Sequence, residues 1–402
     1  MTVPFVHGAG QDAPTLKVGI VGCGGRGTGA LENVLQAAPN VQVIAMGDMF
    51  RDRLDRSRKL TQAKNLPGFK VDDDHCFTGF DAFRKVIDSG IDYVMLTEPP
   101  GFRPQHFEAA IEAGKHVFFE KPVAVDPAGV RRVIEAGRKA AEKRLGVIPG
   151  TQSRHSPGII ECVRRIHEGQ IGEVLSGAIT FNTGYLWSYE RKPEMSDMEW
   201  QIRNWYYFDW LSGDHIVEQH VHQHDVADWV LRARPVSATA VGGRQVRTEP
   251  LWGNIFDHFC VDYEYPGGVH VTALCRQWAN TPGYSGSFFA GTKGRAVIDG
   301  RNVQITGETP WRYEGPKANA QVLEHRDLIR SIREEKPLND AERIALSSLT
   351  TILGREAAYS GQKISYQDLL EKSRQDLSPA KYEFGPNPAR PVPVPGQYRH
   401  PF

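Results

Sequence analysis

The sequence predicts an α/β protein of two domains: an N-terminal doubly wound parallel sheet and a C-terminal α+β domain with an open, mostly antiparallel sheet. Three observations predict it. A Gly-rich turn, Gly22-Cys23-Gly24-Gly25-Arg26-Gly27, sits between a β-rich run and a helical pattern. Short apolar runs then alternate with helical patterns as far as residue 150, the grammar of βαβ units. Beyond that point, runs with strand character follow one another with turn signals between them. The 402 residues are also too many for one average domain.

Residues 16–21 (LKVGIV) form the first expected strand, and a helical pattern follows the Gly turn through Val34 and Leu35. Residues 41–46 (VQVIAM) form the second strand, closed by Gly47-Asp48. Residues 92–97 form the next, ahead of Pro99-Pro100; a helix over 105–113 leads to a strand at 116–119. Asp126-Pro127 opens a helix, because Asp caps well and Pro suits the first helical position. Residues 145–148 close the first half. In the second half a helix over 159–166 precedes strands near 174–181, 237–241, 259–265, 269–275, 286–290 and 295–298. Tyr265-Pro266-Gly267-Gly268 reads as a hairpin turn, and Asn339-Asp340-Ala341-Glu342 has capping-box spacing ahead of a helix to about Tyr359. The expected division is a flexible tail over 1–15, a dinucleotide-binding domain over 16–150, a substrate-binding and oligomerisation domain over 151–377, and a Pro-rich extended arm over 378–402, laid on a neighbouring subunit.

Lys plus Arg and Asp plus Glu are both 48, so no basic excess recruits nucleic acid or an anionic membrane surface. No apolar run is long enough to span a bilayer. Five widely spaced cysteines without a CxxC support neither a disulfide framework nor a cysteine zinc site. The expectation is a cytoplasmic protein. Residues 1–15 lack the features of an export signal, and a signal trimmed just upstream would place the protein in the periplasm instead.

Gly22, Gly24 and Gly27 match G-x-G-x-x-G in strand–turn–helix context. The first glycine permits the tight turn, the second the approach of a pyrophosphate, and the third close helix–strand packing. Phosphates would rest on the backbone N–H groups of Gly25 and Arg26, with the Arg26 side chain adding a charge-assisted contact. Asp48, 24 residues after Gly24, would accept from a ribose diol and repel a 2′-phosphate. NAD is therefore favoured over NADP, although Arg51 and Arg53 lie close enough to favour a 2′-phosphate.

Lys121, in Glu120-Lys121-Pro122, follows a strand of the parallel sheet, and ligands of such sheets gather at the strands' carboxyl ends. A lysine there can polarise a substrate oxygen and assist proton transfer. The plain alternative is a surface lysine ahead of a helix. His222 and Asp225 precede an apolar helix through Trp229, Val230 and Leu231, and a histidine suits removal of a hydroxyl proton as hydride leaves. Glu218 shares a face with His222 in helix or strand and can orient it. His215, Glu218, His220, His222, His224 and Asp225 fall within eleven positions, so zinc or iron ligation competes with this reading. So do plain core-satisfied histidines. The spacing matches no metal motif with a mechanism, and no metal site is predicted. Residues 181–210 are dense in aromatics, Trp205 among them, that could stack on sugar rings beside Arg203 and Asn204; core or interface packing explains most of them equally well. Arg154, Trp205 and His220 join Lys121 and His222 as candidate substrate contacts.

These motifs, from residue 16 to about residue 370, resemble the glucose–fructose oxidoreductase / inositol dehydrogenase (Gfo/Idh/MocA) family. The carrying residues are the Gly22–Gly27 turn, Thr97-Glu98-Pro99-Pro100 with His106, Glu120-Lys121-Pro122, and a D-x-G-x-H-x-x-D pattern represented by Glu218 to Asp225. The resemblance implies a Rossmann domain, a C-terminal domain whose open sheet builds a dimer or tetramer, and hydride exchange with a sugar, inositol or related polyol. It maps the family's catalytic lysine onto Lys121 and its histidine onto His222, and places Thr97, Pro99, His106 and Glu120 at the cofactor. Two positions depart from the family: its Asp is Glu218 and its Gly is His220. Relatives that keep their nicotinamide bound, oxidise a sugar, eliminate a glycosidic bond and reduce again give an alternative, an NAD-dependent glycosidase with a tightly held cofactor. A non-catalytic NAD- or sugar-binding sensor is a second alternative.

Overall fold

A computed structural model describes residues 13–300 and 302–402; most of the expected tail over 1–15 lies outside the described residues. The first domain runs β1 (Leu16–Val21), α1 (Gly25–Ala37), β2 (Val41–Asp48), α2 (Arg51–Gln62), β3 (Cys76–Thr78), α3 (Ala82–Ile87), β4 (Tyr93–Leu96), α4 (Arg103–Glu112), β5 (His116–Phe119), α5 (Pro127–Glu142) and β6 (Val147–Pro149). Its six strands are all parallel, in the order β3-β2-β1-β4-β5-β6. Val18, Ile20, Val94 and Val117 are fully buried, as strands covered on both faces require. Strand order reverses between β1 and β4, so the ligand crevice opens there, at the strands' carboxyl ends.

The second domain continues α6 (Pro157–His167), β7 (Val174–Thr183), α7 (Asp197–Arg203), α8 (Asp209–Ser212), α9 (His215–Glu218), α10 (Val221–Leu231), β8 (Ser237–Gly243), β9 (His258–Tyr265) and β10 (Val269–Gln277). It closes with β11 (Tyr284–Gly291), β12 (Gly294–Asp299), β13 (Val303–Gly307), β14 (Trp311–Arg312), α11 (Ala320–Arg333), α12 (Ala341–Ser360), β15 (Ile364–Ser365) and α13 (Tyr366–Glu371). Its nine strands lie in the order β14-β13-β12-β11-β7-β10-β9-β8-β15. Every pairing is antiparallel except β7 with β10, so the sheet is mixed. In β9 exposure alternates strictly, with Phe259, Val261, Tyr263 and Tyr265 turned inward. Helix α12 packs on α5 on one side and on β8 and β9 on the other, joining the two domains through one apolar core.

The caps explain several boundaries. Asp126 Oδ1 accepts from the Gly129 N–H at 2.6 Å and starts α5. At α12 the expected box is not formed as spaced: Asn339, not Asp340, accepts from the Ala341 N–H. His222 and Asp225 lie within α10 rather than before it, because Val221 already begins the helix. The Pro-rich arm over 378–402 makes hydrogen bonds to its own chain. Tyr398 and His400 bond the buried Glu356, the Gly385 carbonyl accepts from Met198, and the Asn387 carbonyl accepts from Gln201. No helix among the described residues is long and apolar enough to cross a membrane.

Candidate active site

The Gly turn is held open by steric necessity at two positions. Gly22 has φ +93°, and a Cβ there would lie 2.4 Å from the Glu98 backbone nitrogen. A Cβ on Gly27 would lie 2.0 Å from the Gly22 carbonyl oxygen, so α1 can approach β1 only without one. At Gly24 and Gly25 a Cβ would meet nothing within 4 Å. That open floor, at the N-terminus of a 13-residue helix, fits a pyrophosphate. Thr97 fixes the turn from the neighbouring strand, its hydroxyl donating to the Gly22 carbonyl at 2.6 Å.

Asp48 ends β2 beside the turn. Its carboxylate accepts from the Cys23 N–H at 2.6 Å and the Phe50 N–H at 2.9 Å, which aims it into a cavity also lined by Gly22, Arg53, Phe80, Pro99 and His106. Burial raises its pKa against those two hydrogen bonds. Arg53 donates to the Arg203 carbonyl at 2.8 Å and borders the same cavity. His106 stacks on Phe83, ring centroids 4.0 Å apart. Tyr382, from the C-terminal arm, also lines the cavity, and Phe384 stacks on Phe50 and meets Phe80 edge-on.

A second cleft of about 280 Å³ lies beside the first and holds Lys121, Glu218, His222, Trp205, Gln152 and Gln321. Lys121 Nζ donates to the Glu218 carboxylate and to the Glu218 carbonyl, both at 2.7 Å. The Lys121–Pro122 peptide is cis. Buried Arg103, from the start of α4, donates to the Pro122 and Glu98 carbonyls and so ties the loop after β4 to the loop carrying Lys121. His222 projects from the first turn of α10 into this cleft, with Nδ1 free of any hydrogen-bond partner. Burial, aided by the nearby Lys121 cation, lowers its pKa to about 3, so the ring is neutral around pH 7.

Arg26 differs from its expected role. Its guanidinium bonds Glu120 at 2.5 Å, Asn33 at 3.0 Å and Glu324 of α11 at 3.2 Å, so it braces the domain junction rather than reaching a phosphate. Burial alone would raise the pKa of Glu120; Arg26, Lys121 and Arg103 together pull it below the ordinary value. Glu324 is pushed well above its ordinary value by burial and by Glu120. The two acids thus share one guanidinium, and the charged form is favoured at Glu120 and disfavoured at Glu324.

Asp225 and Arg154 also lie apart from the cleft's lining. The Asp225 carboxylate accepts from Arg154 at 2.7 Å, from Arg343 at 2.9 Å and from Ser347 at 2.9 Å, which leaves it no free direction toward His222. Against the cost of its burial, Arg343 and Arg154 hold it ionised, well below the usual carboxylate range. Arg154 is spent on this pair and lies over the Trp229 ring at 4.3 Å. The ion-paired cluster locks α10 to α12. His220 is sealed in the core, its ring 4.5 Å from that of His224, and neither of its nitrogens is bonded. Arg203 and Asn204 are likewise committed, to Glu199 and to backbone groups. Of the aromatics between 181 and 210, Trp205 lines the cleft, while Trp200, Tyr206, Tyr207, Phe208 and Trp210 pack in the core. Among the described residues no group of three or more His, Cys, Asp or Glu side chains is placed to hold a metal ion.

Sequence reasoning missed Arg103, and also Gln152, Gln321 and Tyr382, which the fold brings in from a distance, and it quoted Glu98 without giving it a role. For Glu98 a signal was present: a carboxyl directly after Thr97, at the end of a buried strand of the ligand-binding sheet.

Two family models match the chain. Residues 16–148 match an oxidoreductase family with an NAD-binding Rossmann fold, and residues 159–297 match the GFO/IDH/MocA C-terminal domain. The chain is 26% identical over 227 residues to inositol 2-dehydrogenase 2 of Saccharopolyspora erythraea, covering 56% of this chain and 57% of that one. It is 30% identical over 155 residues to the inositol 2-dehydrogenase of Paracoccus denitrificans, covering 38% and 42%. The matched stretches thus span about half the length of these relatives. In fold it is similar to apo scyllo-inositol dehydrogenase from Lactobacillus casei, with TM-score 0.68, 19% identity, and coverage of 88% of this chain and 99% of that one. A levoglucosan dehydrogenase in complex with NADH and levoglucosan gives TM-score 0.68 at 16% identity, with the same coverage. The two matched models, in order and over both domains, place the chain in the Gfo/Idh/MocA oxidoreductase family, with an NAD-binding Rossmann domain followed by that family's C-terminal domain.

Proposed function

We propose that the protein exchanges a hydride between a nicotinamide cofactor and a hydroxyl-bearing carbon of a sugar, inositol or related polyol. The observation that carries this reading is the pairing of Lys121 and Glu218 at 2.7 Å in one cleft with a neutral His222, beyond the carboxyl end of β5. The cofactor, when bound, supplies the hydride acceptor. Gly24, Gly25 and Asp48 would hold its pyrophosphate and adenosine ribose. The two backbone bonds to Asp48 keep an acceptor at the ribose position, which favours NAD over NADP. Lys121, anchored by Glu218, presents a cation to the reacting oxygen. The neutral imidazole of His222 has room for the hydroxyl proton. Glu218 acts on Lys121 rather than on His222, because that is where its bonds go. Trp205 offers a flat apolar face to the C–H side of a ring. Inositol and sugar dehydrogenases among the relatives support this substrate class, and we propose a dimer or tetramer of the chain as the working form.

The test is to purify the protein without added cofactor, release any bound nucleotide by denaturation, and then follow formation of reduced nicotinamide by absorbance across sugars and polyols. Turnover on at least one polyol is expected. Lys121→Ala should lower it by roughly 10²- to 10⁴-fold with NAD binding largely intact. Near-normal turnover in that variant would remove Lys121 from the chemistry. Nucleotide retained stoichiometrically, with cleavage of a glycoside and no net reduction, would favour the glycosidase reaction instead.

A further inference from the structure

Glu98 follows β4 and borders both cavities, the one holding Asp48 and the one holding Lys121. It is 6% exposed, and neither carboxyl oxygen has a hydrogen-bond partner. His106 Nδ1 and Arg103 Nε stand 3.3 and 3.9 Å from Oε1 without bonding it. A buried carboxyl group normally collects donors, because its desolvation is costly otherwise. Two buried acceptor oxygens left unused, on a residue that lines both cavities, indicate donors that arrive with a ligand.

The sheet order says which donors. Strands β2, β1, β4 and β5 are neighbours in that sequence, and their carboxyl ends carry Asp48, the Gly22–Gly27 turn, Glu98 and Lys121. A dinucleotide laid across these ends presents its adenosine ribose, its pyrophosphate, its second ribose and its nicotinamide in the same sequence. Asp48 suits the first, the open glycine floor the second, and the Lys121 cleft the last. That leaves the second ribose for Glu98. An acceptor-only group would repel phosphate, but it matches a vicinal diol, whose two hydroxyls donate to the two carboxyl oxygens. We infer that Glu98 binds the diol of the nicotinamide-side ribose and thereby positions the nicotinamide over the Lys121 cleft, an inference that rests on the dinucleotide reading above.

Calorimetric titration of wild type, Glu98→Ala and Glu98→Gln with NAD⁺, ADP-ribose and ADP tests it. ADP lacks the second ribose, while ADP-ribose carries its diol. In Glu98→Ala the affinity for NAD⁺ and ADP-ribose should fall about 10- to 100-fold, the scale of losing hydrogen bonds to a charged group, with ADP unchanged. Unchanged ADP binding also reports that the variant is folded. Glu98→Gln, which keeps one carbonyl acceptor, should fall between the two. Equal losses for ADP and ADP-ribose would overturn the assignment and leave Glu98 as a charge partner of Arg103. Unchanged nucleotide binding with a raised KM for the polyol alone would also overturn it, giving the carboxyl to the substrate. Wild-type protein that binds none of the three nucleotides would overturn the dinucleotide reading and this inference together, whereas failure of the inference alone leaves wild-type NAD⁺ binding intact.

Discussion

Individual side chains were legible where the backbone alone fixes them and illegible where a distant partner does. Gly22, Gly27 and Asp48 follow from a turn of a few residues. Arg26 does not: Glu324, which captures it, lies 298 positions away. The histidines of α9 and α10 make the same point. Spacing alone left metal ligation open, but packing turns His220 toward Phe181 and His224, and sends His224 to Tyr263. Burial and the neighbouring histidines hold His220 far below its ordinary pKa, and burial lowers His224 to about 4. An unfolded imidazole takes up its proton near pH 6.5, and these folded ones do not. Their contribution to stability is therefore complete above pH 6.5 and drains as the pH falls toward their folded values, by up to about 1.4 kcal/mol per pH unit for each. His220→Phe removes one such group and two unbonded nitrogens at nearly constant shape. Denaturant titrations between pH 8 and 5 should show that variant at least as stable as wild type at pH 8, with a shallower decline toward pH 5. An unchanged decline would mean that His220 is hydrated or protonated in the folded protein.

Among the elements, those with a strong apolar period were legible and short or polar ones were not. The runs LKVGIV, VQVIAMGD and HVFF are strands on composition alone. Strands β3, β14 and β15 have two or three residues, too few for any period to show. Helix α2, RDRLDRSRKLTQ, buries only Leu54, Ser57 and Thr61, so its packed face carries almost no apolar signal. The parallel pairing of β7 with β10 is set by a crossover through helices α7 to α10 and strands β8 and β9, which local patterning does not encode. The destination of the C-terminal arm could not be read from the sequence, because it depends on a cavity in the other domain. Tyr382 lines the Asp48 cavity and Phe384 lies against Phe50 and Phe80, so the arm covers the adenosine end of the proposed cofactor site. Aromatic contacts of this kind contribute about 0.5–1.5 kcal/mol each. The double variant Tyr382→Ala, Phe384→Ala should release NAD about tenfold faster, read by stopped-flow displacement, while leaving the Tyr398 and His400 bonds to Glu356 in place. Release at the wild-type rate would make the arm a surface feature with no hold on the cofactor.

For the whole molecule, the decisive asymmetry is between the two sheets. The parallel sheet is covered on both faces. Among the described residues the nine-stranded sheet is covered on one, where α12 meets β8 and β9. Across its other face, register aligns Val241, Cys260, Leu274 and Thr180 in one row over four adjacent strands. Val241 is 69% exposed and Leu274 42%, each opposite an inward face that is almost fully buried. A broad, shallow sheet face with apolar side chains at its centre fits another sheet of the same kind, and a second copy of the chain supplies one by two-fold symmetry. A stable association of that type buries roughly 1,200–2,000 Å² in total. Sedimentation should therefore find a dimer or tetramer at micromolar concentration. Val241→Lys with Leu274→Lys places two cations on each partner at the symmetric contact and should give monomers. Their NAD affinity should be unchanged, since neither residue borders the Asp48 or Lys121 cavity. A wild-type monomer, or a doubly charged variant that assembles as wild type does, would show that this face meets solvent rather than a partner.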